Sequence, residues 1–153
     1  LADLTKQGKV VVLEWYNPEC PAVHEHHKGN TFFNELHESY NSKGVVFLAV
    51  NSSAAGKEGS DKQRNIDSIK EFNLPYPILL DPEGTVGKSY GAKTTPHVFI
   101  VGKDGKLVYQ GAAMDRKDRT NYVKAALDET LAGKPVTKAE TKSWGCSVKY
   151  ASK

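Results

Sequence analysis

KVVVLEWYNPECPAVHEHH, from Lys9 to His27, decides how the rest of the chain is read. Lys9 to Trp15 is β-branched and almost continuously apolar. That is the pattern of a strand covered on both faces, not of one alternating between core and water. The run breaks at Asn17-Pro18, and a lone cysteine, Cys20, follows with Pro21 directly behind it. Proline suits the first position of a helix, where its missing N–H has no intrahelical partner. Cys20 is therefore expected at a strand-to-helix junction, where unpaired N–H groups and the helix dipole favour the thiolate, the reactive form. The plain alternative is a small buried hydrophobe.

Working outward, "GVVFLAVN" (Gly44 to Asn51) reads as a second buried strand and "YPILLD" as a third, closed by the turn "DPEG". Thr31 is placed to cap a helix reaching Tyr40, and Ser60 with Gln63 fits a capping box for a helix ending near Phe72. A short helix is expected over Val86 to Tyr90. "TTPHVFIV" supplies a fourth strand, "GKDGK" a hairpin turn and "LVYQG" a fifth strand. "RTNYVKAALDETLAG" is an amphipathic helix closed by Gly133. Strands alternating with helices, ending in an antiparallel hairpin, predict a three-layer α/β/α sandwich around a central mixed sheet. The domain is expected over residues 1–135. In the remaining segment, 136–153, Trp144, Cys146, Val148 and Tyr150 alternate with Gly145, Ser147 and Lys149, the period of an extended tail with one face docked on the body.

The chain has 153 residues, enough for one domain with a real core, and a net charge of +3. That charge is too small, and its lysines too scattered, to argue for nucleic acid. No apolar run reaches the ~18 residues of a membrane-spanning helix. The two cysteines, Cys20 and Cys146, are too few and too far apart for a disulfide framework or a zinc ribbon. The opening "LADLTKQGK" lacks a methionine and looks like that of a processed or trimmed chain.

A buried strand, W-Y-x-x-x-C-P, a helix and a later T-P before a hairpin together resemble the thioredoxin superfold. "WYNPECP", "TTPHVFIV", "NYVKAALDETLAGKPV" and "GCSVKY" are similar to the redoxins within it, the alkyl hydroperoxide reductase/thiol-specific antioxidant group. The resemblance spans the chain. It implies a thioredoxin-like fold, antioxidant or thiol-disulfide oxidoreductase activity without a cofactor, and Cys20 as the nucleophile. It also implies Glu14 as the buried acid, Trp15 and Tyr16 as the aromatic pair beside the substrate, and Thr95-Pro96 as the cis-proline loop facing Cys20. The implied partner is a protein thiol or disulfide, or a peroxide. Such redoxins are often exported, the periplasm being favoured over the cytoplasm. Two departures stand out: Val23 occupies the place of a thioredoxin's second cysteine. Asn17 and the arginine-free strand at Thr95-Pro96 depart from the peroxiredoxin pattern.

The residues themselves leave alternatives open. Glu14, in an apolar run, is expected to be desolvated with a raised pKa and to serve as a proton shuttle, or else to be a solvated edge residue. His24 and His27 follow Cys20 at helical spacing and form a metal-ligand set with it, stabilise its thiolate, or simply line a solvated helix face. His97 is expected to point away from Cys20. Cys146, the only other thiol, is expected to bond to Cys20 on oxidation, the competing outcome being a tail docked elsewhere. Beside the enzyme reading stand a metal-binding protein and a redox-inert binding module.

Overall fold

The computed structural model describes residues 2–29 and 31–151. Its centre is β1 (Val10–Trp15), buried at every position as the opening sequence requires. β2 (Val45–Asn51) runs parallel to it, with Val10 opposite Val45 and Trp15 opposite Val50. β3 (Ile78–Leu80) continues the parallel pairing at one edge. A two-residue strand, β4 (Thr94–Thr95), stands apart from this sheet. On the other side of β1 lie β5 (Val98–Val101) and β6 (Leu107–Gly111), both antiparallel to their neighbours, giving the order β3-β2-β1-β5-β6.

Alternation along β1 divides the core. Val10, Val12 and Tyr16 face one side with Phe47 and Ile100. They are covered by Val23 of α2 (Pro21–His24), Phe33 and Leu36 of α3 (Phe32–Tyr40), and Val123 and Leu127 of α6 (Tyr122–Leu131). Val11, Leu13 and Trp15 face the other side with Phe99. There Leu4 of α1 (Ala2–Lys6) and Tyr90 of α5 (Thr85–Tyr90) pack against them. Helices on both faces of a mixed sheet make the three layers expected. Among the described residues, no helix is long and apolar enough to cross a membrane.

Three local readings need correction. α4 (Lys62–Glu71) is capped by Asp61, whose side chain accepts from the Gln63 N–H, not by Ser60. Either residue type can cap, and the acceptor one position later meets the first turn. "TTPHVFIV" is two strands: the Thr95-Pro96 peptide is cis, and β5 begins only at Val98. The helix after Cys20 is not straight. A π-helical turn over Glu25–Gly29 follows α2 and widens the winding, so His27 leaves the face it would hold in a regular helix.

The tail is extended and fastened along its length. Thr141 accepts from the Ala112 N–H and shares a 2.6 Å hydrogen bond with the Tyr109 hydroxyl. The Trp144 indole donates to the Met114 carbonyl at 2.9 Å. β7 (Cys146–Ser147) pairs antiparallel with β4, Cys146 opposite Thr95. Beyond it the Val148 N–H donates to the Lys93 carbonyl at 3.0 Å, and the Tyr150 hydroxyl to the Ala92 carbonyl at 2.8 Å.

The core predicts its own sensitivity. Phe47 is buried in mid-strand beside Tyr76 and His37. Phe47→Ala should cost about 3–5 kcal/mol in urea unfolding. Leu80→Ala, on the exposed β3 edge, should cost under about 0.5 kcal/mol.

Candidate active site

The loop between β1 and α2 is built by short-range bonds. The Asn17 side chain accepts from the Glu19 N–H at 2.8 Å, and the Asn17 carbonyl accepts from the Cys20 N–H at 3.1 Å. Arg64 of α4 ties the loop down from outside, bonding Glu19 at 2.7 Å, Glu71 at 3.0 Å and the Pro18 carbonyl at 3.1 Å. Cys20 is thereby held as the N-cap of α2 in extended backbone, with Pro21 at the first helical position.

Cys20 and Cys146 form a disulfide, their Cα atoms 6.1 Å apart. The Cys20 sulfur also lies 3.3 Å from the Thr95 carbonyl oxygen. In the disulfide no S–H remains, so this is a contact; the free thiol would donate across it. Thr95 and Pro96 are themselves buried, and the tail lies over them. Gly145 makes that closeness feasible: at φ +134°, a Cβ there would collide with the Thr95 carbonyl oxygen.

Beneath this bridge sits a second cluster. Glu14 is buried, and both its carboxylate oxygens are engaged. The Tyr76 hydroxyl donates to one at 2.6 Å, and His27 Nε2 lies 2.7 Å from the other. His27 stacks on Phe33 and meets Tyr16 edge-on. Burial, with the adjacent Glu14 carboxylate, holds the Tyr76 hydroxyl well above the ordinary tyrosine range, so it stays a donor. A carboxylate oxygen accepts, so His27 Nε2 carries the proton of this bond, and Nδ1 has no partner among the described protein atoms.

The remaining expected residues are placed as follows. Trp15 is fully buried, its indole donating to Ser52 at 3.0 Å, and Tyr16 is fully buried with its hydroxyl on Ser68 at 2.8 Å. Neither presents surface here, and they face opposite sides of the sheet: Tyr16 lies in the cluster that holds Cys20, Trp15 in the one with Phe99. His24 bonds the Pro18 carbonyl at 2.6 Å and His27 bonds Glu14, so neither side chain is turned to Cys20 as the metal-ligand reading requires. Among the described residues, no group of three His, Cys, Asp or Glu is arranged to hold a metal ion. His97 points away, as expected: its Nδ1 accepts from the Lys93 N–H and its Nε2 donates to Gln110 at 2.9 Å.

The sequence reading missed Tyr76 and Arg64, which come from distant segments with no spacing signal. It also missed the capping role of Asn17, for which a signal exists: Asn-Pro after a strand marks a side-chain-capped turn.

The profile of the Redoxin family matches residues 1–127. The chain belongs to this family. Two solved structures follow nearly the whole of this redoxin. A hypothetical protein from Sinorhizobium meliloti is 26% identical, with a TM-score of 0.87 over 99% of this chain and 85% of that one. An uncharacterized conserved protein from Geobacillus kaustophilus is 30% identical, with a TM-score of 0.83 over 95% and 79%. Among curated proteins, the thiol-disulfide oxidoreductase ResA of Bacillus cereus is 29% identical over 104 residues, which is 68% of this redoxin and 55% of ResA. The thiol:disulfide interchange protein DsbE of Escherichia coli is 28% identical over 112 residues, or 72% and 54%. The redoxin thus spans about half the length of these curated relatives.

Two outcomes follow from the site. The bridge joins residues 126 apart in sequence. Reducing it should lower stability by about 4–5 kcal/mol, less any strain, read as the shift between urea melts with and without dithiothreitol. The second concerns His26, buried against Trp144 and Phe33, whose Nδ1–H donates to the Ala22 carbonyl while Nε2 has no partner among the described protein atoms. Burial lowers its pKa below the ordinary histidine value. The unfolded chain then binds the extra proton first. Stability from this group is full above about pH 6.5 and declines as pH falls towards the lower folded value. His26→Phe should flatten that acid-side decline in urea melts run between pH 7.5 and 5.

Proposed function

We propose that this redoxin is a thiol-disulfide oxidoreductase in which Cys20 is the nucleophile and Cys146 the resolving thiol. The observation that carries the reading is their bond, formed beside cis-Pro96 with Cys20 at a helix start. The names of the curated relatives support the same chemistry.

In the cycle, Cys20 thiolate attacks a disulfide of a protein partner. One partner sulfur leaves as a thiolate and takes up a proton, and a Cys20–partner disulfide remains. Cys146, deprotonated, then attacks the Cys20 sulfur. The second partner thiol leaves, the Cys20–Cys146 bridge forms, and two electrons have passed to the partner. Helix-start N–H groups favour the Cys20 thiolate. Glu14 is the buried base that takes or returns the proton, with Tyr76 and His27 holding its carboxylate. Tyr16 packs in the same cluster as Cys20 and supports the loop, while Trp15 anchors the end of β1 on the opposite face. The β4 edge at Thr95, covered by the tail in the oxidised state, is the backbone that an extended partner pairs with once the tail lifts.

Disulfide exchange is preferred to peroxide reduction on one observation. The atom facing the Cys20 sulfur from the β4 side is a carbonyl oxygen, an acceptor, which can take a peroxide's O–H but donates nothing to the oxygen that must leave with negative charge.

An exchange assay on a peptide disulfide, run beside a hydrogen peroxide consumption assay, tests this. The wild type should reduce the disulfide when supplied with dithiothreitol and leave peroxide at the background rate. Cys20→Ser should lose exchange at least about 100-fold, and Glu14→Gln should slow it and flatten its pH profile. Peroxide consumption that depends on Cys20, without disulfide exchange, would reverse the assignment.

A further inference from the structure

The two sulfurs of the bridge are not equally placed. Cys20 has no exposed surface and lies beneath Thr95. Cys146 is only half-buried, and it lines a surface depression of about 330 Å³ with Ala22, Glu25, Arg116 and Trp144. Cys20 is not part of that wall. Gly145, exposed and without a side chain, lies on the wall beside Cys146. Arg116 sits at the rim, its guanidinium over the Trp144 ring at 5.4 Å.

Exchange at a disulfide is an in-line displacement: the incoming thiolate must reach one sulfur opposite the other. Reaching Cys20 would require a path through packed core. Reaching Cys146 requires only the depression. Attack there expels the Cys20 sulfur as thiolate.

We propose that the oxidised protein is reopened through Cys146, so that substrate and reductant meet different sulfurs. This rests on the exchange cycle above and adds the half of it that regenerates the thiols. A dithiol reductant supplies the electrons. Its first thiolate attacks Cys146, the Cys20–Cys146 bond breaks, and the electron pair leaves on Cys20 as thiolate. The reductant's second thiolate then attacks its own sulfur in the mixed disulfide. Cys146 leaves as thiolate and is protonated, and the reductant departs as a disulfide. Two electrons and one proton have entered the protein, Cys20 remaining the thiolate. The usual thioredoxin arrangement exposes the helix-start sulfur; here the tail covers it and offers its own instead.

Glutathione, a monothiol that stops at the first step, reads this directly. Oxidised wild-type protein is mixed with glutathione, quenched in acid at a series of early times, alkylated with N-ethylmaleimide and mapped by mass spectrometry. At the earliest times glutathione should sit on Cys146 and the alkyl group on Cys20, in at least about tenfold excess over the reverse. Later transfer of glutathione to Cys20 is consistent with this, because the extrapolation to zero time is what counts. Earliest glutathione on Cys20 overturns the inference and leaves the exchange reading standing. A bridge that neither glutathione nor dithiothreitol opens in the folded protein overturns both. Arg116→Glu gives a second readout. It should lower the rate of opening by anionic glutathione relative to cationic cysteamine by about threefold or more at low salt. An unchanged ratio would show that attack does not pass through this depression.

Discussion

Pairing of Cys146 with Thr95 is the constraint on which the site depends. A two-residue ladder is weak alone, but it sets register, and a one-residue slip would turn Cys146 to the opposite face. Everything along the tail works to prevent that slip. Thr141 is anchored at Tyr109 and Ala112, Trp144 at Met114, and Tyr150 at Ala92. With these points fixed on both sides, the disulfide closes between positions already in register.

The same loop answers to a buried carboxyl group. Glu14 comes from the central strand, Tyr76 from the stretch before β3, and His27 from the π-helical turn. A carboxylate stripped of water needs donors on both oxygens, and each comes from a different part of the chain. The irregular winding after Cys20 therefore has a use: it turns His27 inward to Glu14. The histidine spacing that suggested a metal face is spent on a hydrogen bond in the core.

The strands, the layer order, the junction at Cys20 and the extended docked tail were legible because each rests on local pattern: apolar runs, punctuation by Gly and Pro, and period two from Trp144 to Tyr150. The family likeness supplied Glu14 and Pro96. What sequence could not show was anything decided by contact between distant segments. Tyr76 and Arg64 carry no local mark of meeting Glu14 or Glu19. His27 was misjudged because a regular helix was assumed across Glu25–Gly29. The capping error at Ser60 is of another kind: Ser60 and Asp61 are adjacent acceptors, and only the direction of the chain entering the helix selects between them.

The two tryptophans occupy opposite situations. Trp15 lies wholly inside the sheet's second face, bonded to Ser52. Trp144 rides on the tail, half-exposed, with its ring 5.2 Å from His26. The molecule thus carries two tryptophan fluorophores with separate duties. Trp15 emission reports whether the domain is folded, and Trp144 emission reports whether the tail is seated. A Trp15→Phe background would isolate the second signal and turn docking of the tail into a quantity followed in real time, without any attached label.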